Sequence, residues 1–260
     1  MDKYENNKKA VQGLVLDKSV HRDVYVNEEV FKLEMEHLFP NVWVFIGHAS
    51  QIKKPGDFIT SKIGNQPILV SRHRDNTIHV LYNRCPHKGV KIASEPCGNT
   101  GKFFRCPYHA WGWGAEGMCL DIPYAKKIPK TARIKSWPTC EENQLLFIWN
   151  DPEGMPPSPD EIIPPEDACL ADDWSDWVIE ENVIHINCRE LIDNMSDKAH
   201  FITVHGLKAP DLFQNIFEGH RLTQIMNAVN DEGSEFGAGG ELRSSATYYG
   251  PAYMIAAIDN

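Results

Sequence analysis

Two pairs of residues that commonly bind metals lie close together, between positions 82 and 113 of the chain. Cys85 and His87 form a C-x-H pair. Cys106 and His109 form a C-x-x-H pair, and eighteen residues separate it from the first. Thiolate sulfur and neutral imidazole nitrogen are ligands of zinc and also of mixed cysteine–histidine iron–sulfur clusters. The spacing therefore predicts a metal centre held by two loops.

The order of the ligands favours an iron–sulfur cluster. Each loop carries one cysteine and one histidine, which is the pattern of a Rieske [2Fe-2S] site, where two thiolates hold one iron and two imidazoles hold the other. A structural zinc is the alternative, although zinc modules usually group C-x-x-C with a pair of histidines. Pro86 and Pro107 follow the two cysteines and stiffen both loops, which leaves the histidines near the surface.

The remaining cysteines are predicted to be reduced thiols. The chain has seven cysteines, an odd number at irregular spacing, which does not suit a disulfide framework. A pair between Cys97 and Cys119, both near the loops, is the alternative. Rieske proteins of respiratory chains join an extra cysteine in each cluster loop. Gly89 in one loop and Pro107 and Tyr108 in the other exclude that bond here, so the site is similar to the oxygenase or ferredoxin type.

Short apolar runs predict the strands that position these loops. Between residues 41 and 150 the runs are rich in valine, isoleucine and aromatic residues, and turn signals such as Asp75-Asn76 separate them. We expect 41–150 to form an all-β sandwich or barrel, the Rieske [2Fe-2S] domain. Trp111 and Trp113 follow the second ligand pair and are predicted to pack beneath the cluster.

The N-terminal residues, 1–40, are predicted to form a polar arm and one helix. Asn27 suits a helix N-cap, and Glu28 and Glu29 suit the first turn of a helix that stops at Pro40. We expect this helix to pack on the outside of the strand domain.

A connector is predicted after the strands. Residues 151–167 include six prolines and six acidic residues, a composition typical of an extended, semi-rigid linker. We assign the linker to 151–173 and a last domain to 174–260.

The last domain is predicted to begin with a strand over 177–187 and a helix over 188–206. Asn187 and Glu190 have the spacing of a capping box, and Gly206 suits the C-terminal stop. The helix carries a second set of chemically active residues, which are Asp193, Asn194, Asp197, His200 and His205.

This second set suits a mononuclear metal only if the helix is irregular. Asp197 and His200 are three positions apart and share a face. His200 and His205 are five apart, roughly 140° around an ideal helix, so a break near Thr203 is needed before both bind one ion. Two histidines and a carboxylate are the ligand set of non-haem Fe(II) oxygenases. Ordinary polar residues are the alternative interpretation.

Taken together, these residues resemble the oxygenase component, or α subunit, of Rieske non-haem iron ring-hydroxylating oxygenases over roughly residues 25–255. The family's ferrous-site motif, (E/D)-N-x2-D-x2-H-x4-H, is matched by DNMSDKAHFITVH at 193–205. The resemblance implies that His200 and His205 bind the iron, that Asn194 lies beside it, and that Asp197 is the acid that links it to a Rieske histidine of a neighbouring subunit. In that role we expect the Asp197 carboxylate to be hydrogen-bonded to His200 and to orient its ring. Segments 213–220 and 245–255 are similar to the steroid-ring hydroxylases of this family.

The resemblance also implies an α+β fold, in which an all-β Rieske domain precedes the first part of a helix-grip-like catalytic domain. It implies a [2Fe-2S] cluster and a mononuclear Fe(II), supplied with electrons from NAD(P)H by a reductase, directly or through a ferredoxin. The substrates would be O2 and a hydrophobic ring, aromatic or steroid, and the product a cis-dihydrodiol or a hydroxylated ring. Transfer between subunits implies a homotrimer or an α3β3 assembly.

One feature of the family is missing from the sequence. Its third iron ligand is an aspartate far downstream of the second histidine, and Asp211, Asp231 and Asp259 do not match that position. We therefore expect the chain to be a fragment or a truncated product.

Composition restricts the partners and the location. A net charge of −10 argues against nucleic acid, and no apolar run reaches the length of a membrane span. The polar N-terminus is not a secretory signal, so a cytoplasmic location is expected. Two rival functions remain, a Rieske-type electron carrier without oxygenase activity and a zinc-stabilised binding module.

Overall fold

The structure, a computed structural model, describes residues 3–234, 237 and 239–259, which form two compact units. One unit is continuous, from Trp43 to Asp176, and carries the predicted cluster ligands. The other combines the described residues up to Val42 with those from Trp177 onward. The division differs from the predicted boundaries, because the N-terminal segment groups with the last domain and the proline-rich connector groups with the strands.

The N-terminal segment is more ordered than the polar arm that we predicted. It contains α1 (Lys8–Gln12), a small hairpin of β1 (Val15–Leu16) and β2 (Ser19–Val20), α2 (Asp23–Val26) and α3 (Glu28–His37). A small apolar core holds these elements together, made by Tyr4, Leu14, Val24 and Val30.

The predicted N-terminal helix is confirmed as α3. The side chain of Asn27 caps it by accepting hydrogen bonds from the backbone N–H groups of Glu29 and Val30. The helix belongs to the discontinuous unit, where Glu34 lies 3.6 Å from Arg189. The expectation that it packs on the outside of the strand domain stays a prediction.

The continuous unit is built from eleven strands in three sheets. The strands are β3 (Val42–His48), β4 (Asp57–Ile63), β5 (Gln66–Arg72), β6 (Ile78–Tyr82), β7 (Cys97–Asn99), β8 (Phe104–Arg105), β9 (Gly112–Trp113), β10 (Cys119–Asp121), β11 (Ser136–Trp137), β12 (Thr139–Glu142) and β13 (Leu145–Asn150). The sheet orders are β11-β6-β5-β4-β7, β12-β13-β3 and β10-β9-β8. A short 3-10 helix, Ala49–Gln51, follows β3, and another, Asp167–Cys169, lies near the end of the unit. The prediction of a Rieske-type, largely antiparallel β fold is confirmed.

Two apolar cores support this unit. The first joins the five-stranded sheet to β13 and β3, with Ile68 and Val80 facing Leu146 and Ile148. The second surrounds Cys85 and Cys106 and includes Trp113, which is fully buried. The ligand loops are therefore fixed to the sheets by their own cysteines.

The proline-rich segment lies against the strands and is not a free connector. The indole Nε1 of Trp43 donates to the carbonyl of Glu161 at 2.7 Å. Asn143 donates to the carbonyl of Pro164 at 3.0 Å and accepts from the backbone N–H of Glu166 at 2.7 Å. Ile163 is buried beside these bonds. A proline-rich segment forms no regular helix or strand, so its carbonyls lack backbone partners. The side chains of Trp43 and Asn143 supply partners to two of these carbonyls.

The second unit continues with α4 (Cys188–Ser196), α5 (Lys198–Thr203) and a four-stranded antiparallel meander of β14 (Leu212–Glu218), β15 (Arg221–Val229), β16 (Glu241–Tyr249) and β17 (Tyr253–Asp259). The predicted strand over 177–187 is wrong, because these residues have no regular structure and pair with no other strand of the described chain. None of the described helices has the length and apolar composition that crossing a bilayer requires.

Candidate metal centres

The four predicted cluster ligands come from two loops of the same construction. The first ligand loop, residues 85–90, closes through a hydrogen bond from the Cys85 N–H to the Val90 carbonyl (2.9 Å) and one from the Gly89 N–H to the Cys85 carbonyl (2.8 Å). The second ligand loop, residues 106–111, repeats both bonds at 2.9 and 3.0 Å between the corresponding residues. Two six-residue loops with the same backbone pattern thus present the ligands.

The arginine before each cysteine strengthens this repetition. Arg84 donates to the carbonyl of Gly89 at 3.1 Å, and Arg105 donates to the carbonyl of Ala110 at 2.6 Å. Gly89 and Ala110 both have positive φ, 72° and 57°, as the tight return of each loop requires. The sequence signal for this, the same R-C-P opening in both loops, was present in the chain but was not used in the prediction.

The buried atoms of the two loops fit an iron–sulfur cluster. Cys85 and Cys106 are only 2% and 3% exposed. The Nδ1 atoms of His87 and His109 are buried and have no hydrogen-bond partner among the described residues. Buried polar nitrogens without partners are rare in folded proteins, and here a metal ligand role explains both. The two rings lie 4.5 Å apart between centroids and are themselves half-buried, so the predicted surface position of the histidines is confirmed.

Zinc fits the same atoms poorly. Within the described residues, one group of three ligand atoms lies within 4.8 Å, and it consists of His73, Asp75 and His79, outside both loops. The ligands of one tetrahedral zinc ion lie within about 4 Å of one another. The donors of the two loops are too widely spaced for that, whereas a two-iron cluster needs the wider spacing.

Electrostatics around the first ligand loop favours the neutral imidazole of His87. Burial lowers the pKa of His87, and the neighbouring His109 and Lys88 lower it further. Burial raises the pKa of the Cys85 thiol, and its contact with Cys106 adds to the effect. The Cys85 thiol therefore depends on a metal cation to become the thiolate ligand. All seven cysteines are free, so the alternative pairing of Cys97 with Cys119 is excluded.

Trp111 makes one contact that was predicted and one that was not. Trp113 is buried in the core under the loops and Trp111 packs against that core, as expected. Trp111 is half-buried and also stacks on His87, with ring centroids 4.7 Å apart and planes at 7°. Its Nε1 donates to the hydroxyl of Tyr124 at 2.6 Å. The indole therefore fixes the orientation of one imidazole ligand.

Asn83, which sequence reasoning missed, anchors the start of the first ligand loop. It is 2% exposed, and its side chain accepts hydrogen bonds from the N–H groups of Ile92 and Ala93 and donates to the carbonyl of Ala93, all at 2.8–3.0 Å. The available sequence signal was an asparagine two positions before a cysteine ligand. Its three bonds hold the chain that leaves the loop beside the chain that enters it.

The second predicted centre is formed in part. His200 and His205 lie with ring centroids 5.1 Å apart at 72°, so the structure brings the two histidines together. The predicted helix over 188–206 is two helices, because Asp197 is extended at φ −84° and ψ 92° and caps α5 through its carboxylate and the Ala199 N–H. The break predicted near Thr203 is confirmed, since α5 ends there.

The contact between Asp197 and His200 differs from the predicted one. The Nδ1 of His200 meets the backbone carbonyl of Asp197 at 2.5 Å, while the carboxylate is used by the helix cap. A carbonyl accepts only, so Nδ1 carries the proton and Nε2 keeps the lone pair that a metal needs. The predicted carboxylate–imidazole bond is therefore wrong, and Asp197 orients the ring through its backbone carbonyl instead.

Apolar contacts fix the histidine pair against the meander sheet. Phe201, between the histidines, packs on Phe213 at 5.9 Å between centroids and on the core of Leu207, Met226, Ala228 and Leu242. Gly206 has φ 66°, and a Cβ there would lie 3.0 Å from the Gly233 carbonyl. A glycine is needed where α5 turns into the sheet.

The other residues of the motif lie on α4. The carboxylate of Asp193 accepts a very short hydrogen bond from the phenol of Tyr25. Asn194 is exposed, as is Asp197. Among the described residues, no carboxylate completes a group of three ligands with His200 and His205.

Two family descriptions match the chain. Residues 42–138 match the Rieske [2Fe-2S] domain, and residues 148–260 match the 3-ketosteroid 9alpha-hydroxylase C-terminal domain. The first contains both ligand loops, and the second contains the histidine pair.

Curated relatives agree with these matches. The oxygenase component of a 3-ketosteroid-9-alpha-monooxygenase from Rhodococcus rhodochrous is 37% identical over 232 residues, which is 87% of this chain and 60% of the relative. The alpha subunit of benzene 1,2-dioxygenase from Pseudomonas putida is 37% identical over 114 residues, 44% of this chain and 25% of the relative. The chain spans 48–60% of the length of the 3-ketosteroid monooxygenase components that it matches.

A solved structure shares the fold. A quaternary ammonium Rieske monooxygenase superposes with a TM-score of 0.65 at 20% identity, covering 90% of this chain and 67% of that one. At this identity the likeness concerns the fold alone.

Proposed function

This chain belongs to the Rieske-type oxygenases, and we propose that it is the terminal oxygenase component of a system that hydroxylates a 3-ketosteroid or a similar fused-ring ketone. The observation that carries the substrate class is the match of residues 148–260, which include His200 and His205, to a 3-ketosteroid 9alpha-hydroxylase domain. The segments similar to steroid-ring hydroxylases, 213–220 and 245–255, lie in β14 and around the β16–β17 turn of the same unit.

Each set of ligands has a separate role in the proposal. Cys85, His87, Cys106 and His109 hold the [2Fe-2S] cluster, and His200 and His205 hold a mononuclear Fe(II). When bound, these groups pass single electrons and activate O2. The overall reaction consumes one C–H bond, one O2, two electrons and two protons, and it yields one C–OH group and one water.

The protein residues orient these ligands. Trp111 fixes the ring of His87 by stacking, and the Asp197 carbonyl fixes the ring of His200 through Nδ1. Asp197 is exposed, and one of its carboxylate oxygens caps α5, so its second oxygen is available to a histidine of a neighbouring subunit. This supports the proposal that Asp197 is the bridging acid of a cyclic trimer, or of an α3β3 assembly, with Asn194 beside the iron.

The electrons come from NAD(P)H through a reductase, directly or by way of a ferredoxin, which places the system in the cytoplasm. The test uses purified protein with such a reductase, NADH, a 3-ketosteroid and O2 enriched in oxygen-18. We expect steroid-dependent NADH oxidation and a product that carries one labelled oxygen. His205→Ala should abolish product while the visible spectrum of the cluster stays, and His37→Ala, an exposed residue of α3, should leave both unchanged.

Two results would contradict the substrate class. One is the absence of steroid product under conditions in which an aromatic ring gains two labelled oxygens, which would identify an aromatic dioxygenase. The other is electron transfer to an external acceptor without any oxygenated product.

One observation favours a second candidate, a Rieske-type electron carrier. Among the described residues no carboxylate joins His200 and His205 within metal-binding distance. Metal analysis separates the two functions. About three irons per two acid-labile sulfides indicate that both centres are filled, and about two irons per two sulfides indicate a cluster alone.

A further inference from the structure

A third group of metal ligands lies in the strand unit, at the tip of the β5–β6 hairpin. His73, Asp75 and His79 each place a ligand atom within 4.8 Å of the other two. We propose that this group, the hairpin site, binds one divalent transition-metal ion of the zinc, nickel and copper class. None of its residues belongs to the ligand loops or to the histidine pair, and the proposal is independent of the proposed function.

The register of the hairpin brings the two histidines together. In the antiparallel pair of β5 and β6, Ser71 lies opposite His79. Side chains two positions apart on a strand share a face, so His73 lies diagonally across from His79 on the same face. The His73 N–H extends the ladder by donating to the Thr77 carbonyl at 2.8 Å. The two imidazole rings stand perpendicular, with centroids 5.4 Å apart.

The turn adds the carboxylate. Oδ1 of Asp75 accepts hydrogen bonds from the N–H and the hydroxyl of Thr77, at 3.0 and 2.6 Å, and it lies 3.1 Å from Nδ1 of His73. That His73 nitrogen is buried, and the alignment with Asp75 is not that of a hydrogen bond. The Thr77 oxygen also lies 2.9 Å from Nε2 of His79. One threonine thus holds the carboxylate and the second imidazole in place, as outer partners of metal ligands do.

A buried arginine keeps this turn rigid. Arg72 is 6% exposed and donates to the Asn76 carbonyl at 3.0 Å and to the Ile52 carbonyl at 2.6 Å. Its guanidinium also forms a two-point contact with Glu141 at 3.0 and 3.1 Å. Because Asn76 lies between the ligands, its anchoring limits the motion of the tip. A ligand set that is already gathered loses less conformational entropy on binding.

The donor set selects the class of ion. Two imidazoles with one carboxylate suit zinc, nickel and copper, whereas magnesium and calcium prefer oxygen ligands alone. The His73 and Asp75 side chains are 36% and 60% exposed, so an ion can enter from solvent and keep water as its remaining ligands.

The test measures Zn2+ binding by equilibrium dialysis on untagged protein that retains its cluster. The background is His200→Ala with His205→Ala, which removes the histidine pair. We expect one Zn2+ per chain, unaffected by excess Mg2+, and a loss of affinity of at least about tenfold on His73→Asn or on Asp75→Asn. His37→Ala is the matched control and should bind zinc as the background does.

The visible spectrum of the cluster verifies that each variant is folded. Because Asp75 is exposed, its substitution is less disruptive to folding than that of His73. Zinc bound equally well by the His73 and Asp75 variants would overturn the proposal, because it would show adventitious binding elsewhere. The absence of bound zinc in the background protein would overturn it as well.

Discussion

The phenol of Tyr25 donates a hydrogen bond to the carboxylate of Asp193, 168 positions further along the chain. Tyr25 lies in α2 and Asp193 in α4, so the bond joins the N-terminal segment to the helix that leads to the histidine pair. Two more contacts reinforce the junction, from Asn187 to the Tyr25 carbonyl at 3.5 Å and from Arg189 to Glu34 at 3.6 Å. The bond with Asp193, with burial, raises the pKa of Tyr25, so the phenol stays a donor at neutral pH.

Removing this hydroxyl should destabilise the junction. Tyr25→Phe should lower the free energy of unfolding by about 1–2 kcal/mol, because a half-buried bond to a charged acceptor is lost. Urea unfolding followed by circular dichroism measures the change. Tyr108→Phe is the matched control, since that exposed hydroxyl has no hydrogen bond with the described residues. A double-mutant cycle with Asp193→Ala should show coupling, and additive effects of the two changes would contradict the bond.

Loss of one cluster cysteine should remove the chromophore. Cys85→Ser should lower bound iron by about two per chain and remove the acid-labile sulfide, because one iron loses a thiolate ligand. Iron and sulfide assays with the visible spectrum measure this. Cys97→Ser, an exposed thiol of β7, should leave all three unchanged. Zinc without sulfide in the parent protein would rule out the cluster.

Gly89 and Ala110 occupy corresponding positive-φ positions in the two ligand loops, so we expect reciprocal substitutions at these positions to have opposite effects. Gly89→Ala should destabilise the first loop by about 1 kcal/mol, because alanine is strained at φ 72° although there is space for its Cβ. Ala110→Gly should relieve the same strain in the second loop and leave its stability equal or higher. The temperature at which the cluster absorbance disappears reports both. A change of this temperature in the same direction in both variants would show that the two loops are not equivalent.

Acid should release the N-terminal arm. The Glu29 carboxylate accepts backbone N–H bonds from Lys3, Tyr4 and Glu5 at 2.6–2.9 Å. Burial tends to raise the pKa of Glu29, but these three donors outweigh it, and the pKa falls below its ordinary value of 4.5. The charged Glu29 carboxylate therefore makes its full contribution to the free energy of unfolding above pH 4.5. This contribution is lost as the pH falls through the lower pKa that Glu29 has in the folded protein.

Glu29→Gln provides the measurement for this pH effect. The difference in unfolding free energy between parent and variant should be large at pH 7 and should shrink towards pH 3. Glu28→Gln, an exposed neighbour in the same first turn, should show no such trend. A difference that is independent of pH would contradict the role of the Glu29 charge.

The sequence was most informative where chemistry and spacing agree. Cys85, His87, Cys106 and His109 were identified because few sites mix the two ligand types in each loop. The strands around them follow from short apolar runs separated by turn signals. The cap at Asn27 was readable because it depends on neighbours within one turn. These features are local in the chain.

Features that depend on distant contacts were not predicted. Nothing near Tyr25 indicates Asp193, and nothing near Asn143 indicates that it binds the proline-rich segment. The strand predicted over 177–187 failed because a strand needs a partner, which its own sequence does not supply. The break at Asp197 was missed because the spacing of Asp197 and His200 also fits one face of a continuous helix. Aspartate favours an N-cap over a helix interior, and Asp197 caps α5.

The division of the chain into units has a consequence for its synthesis. The unit from Trp43 to Asp176 is continuous and interrupts the other, so a ribosome completes it first. At about 5–20 residues per second, roughly 10–30 seconds pass between the emergence of Tyr25 and that of Asp193. During this interval the nascent N-terminal helices lack their contacts with Asn187, Arg189 and Asp193. Their own apolar core of Tyr4, Leu14, Val24 and Val30 consists of residues that have already emerged, so the segment relies on that small core alone.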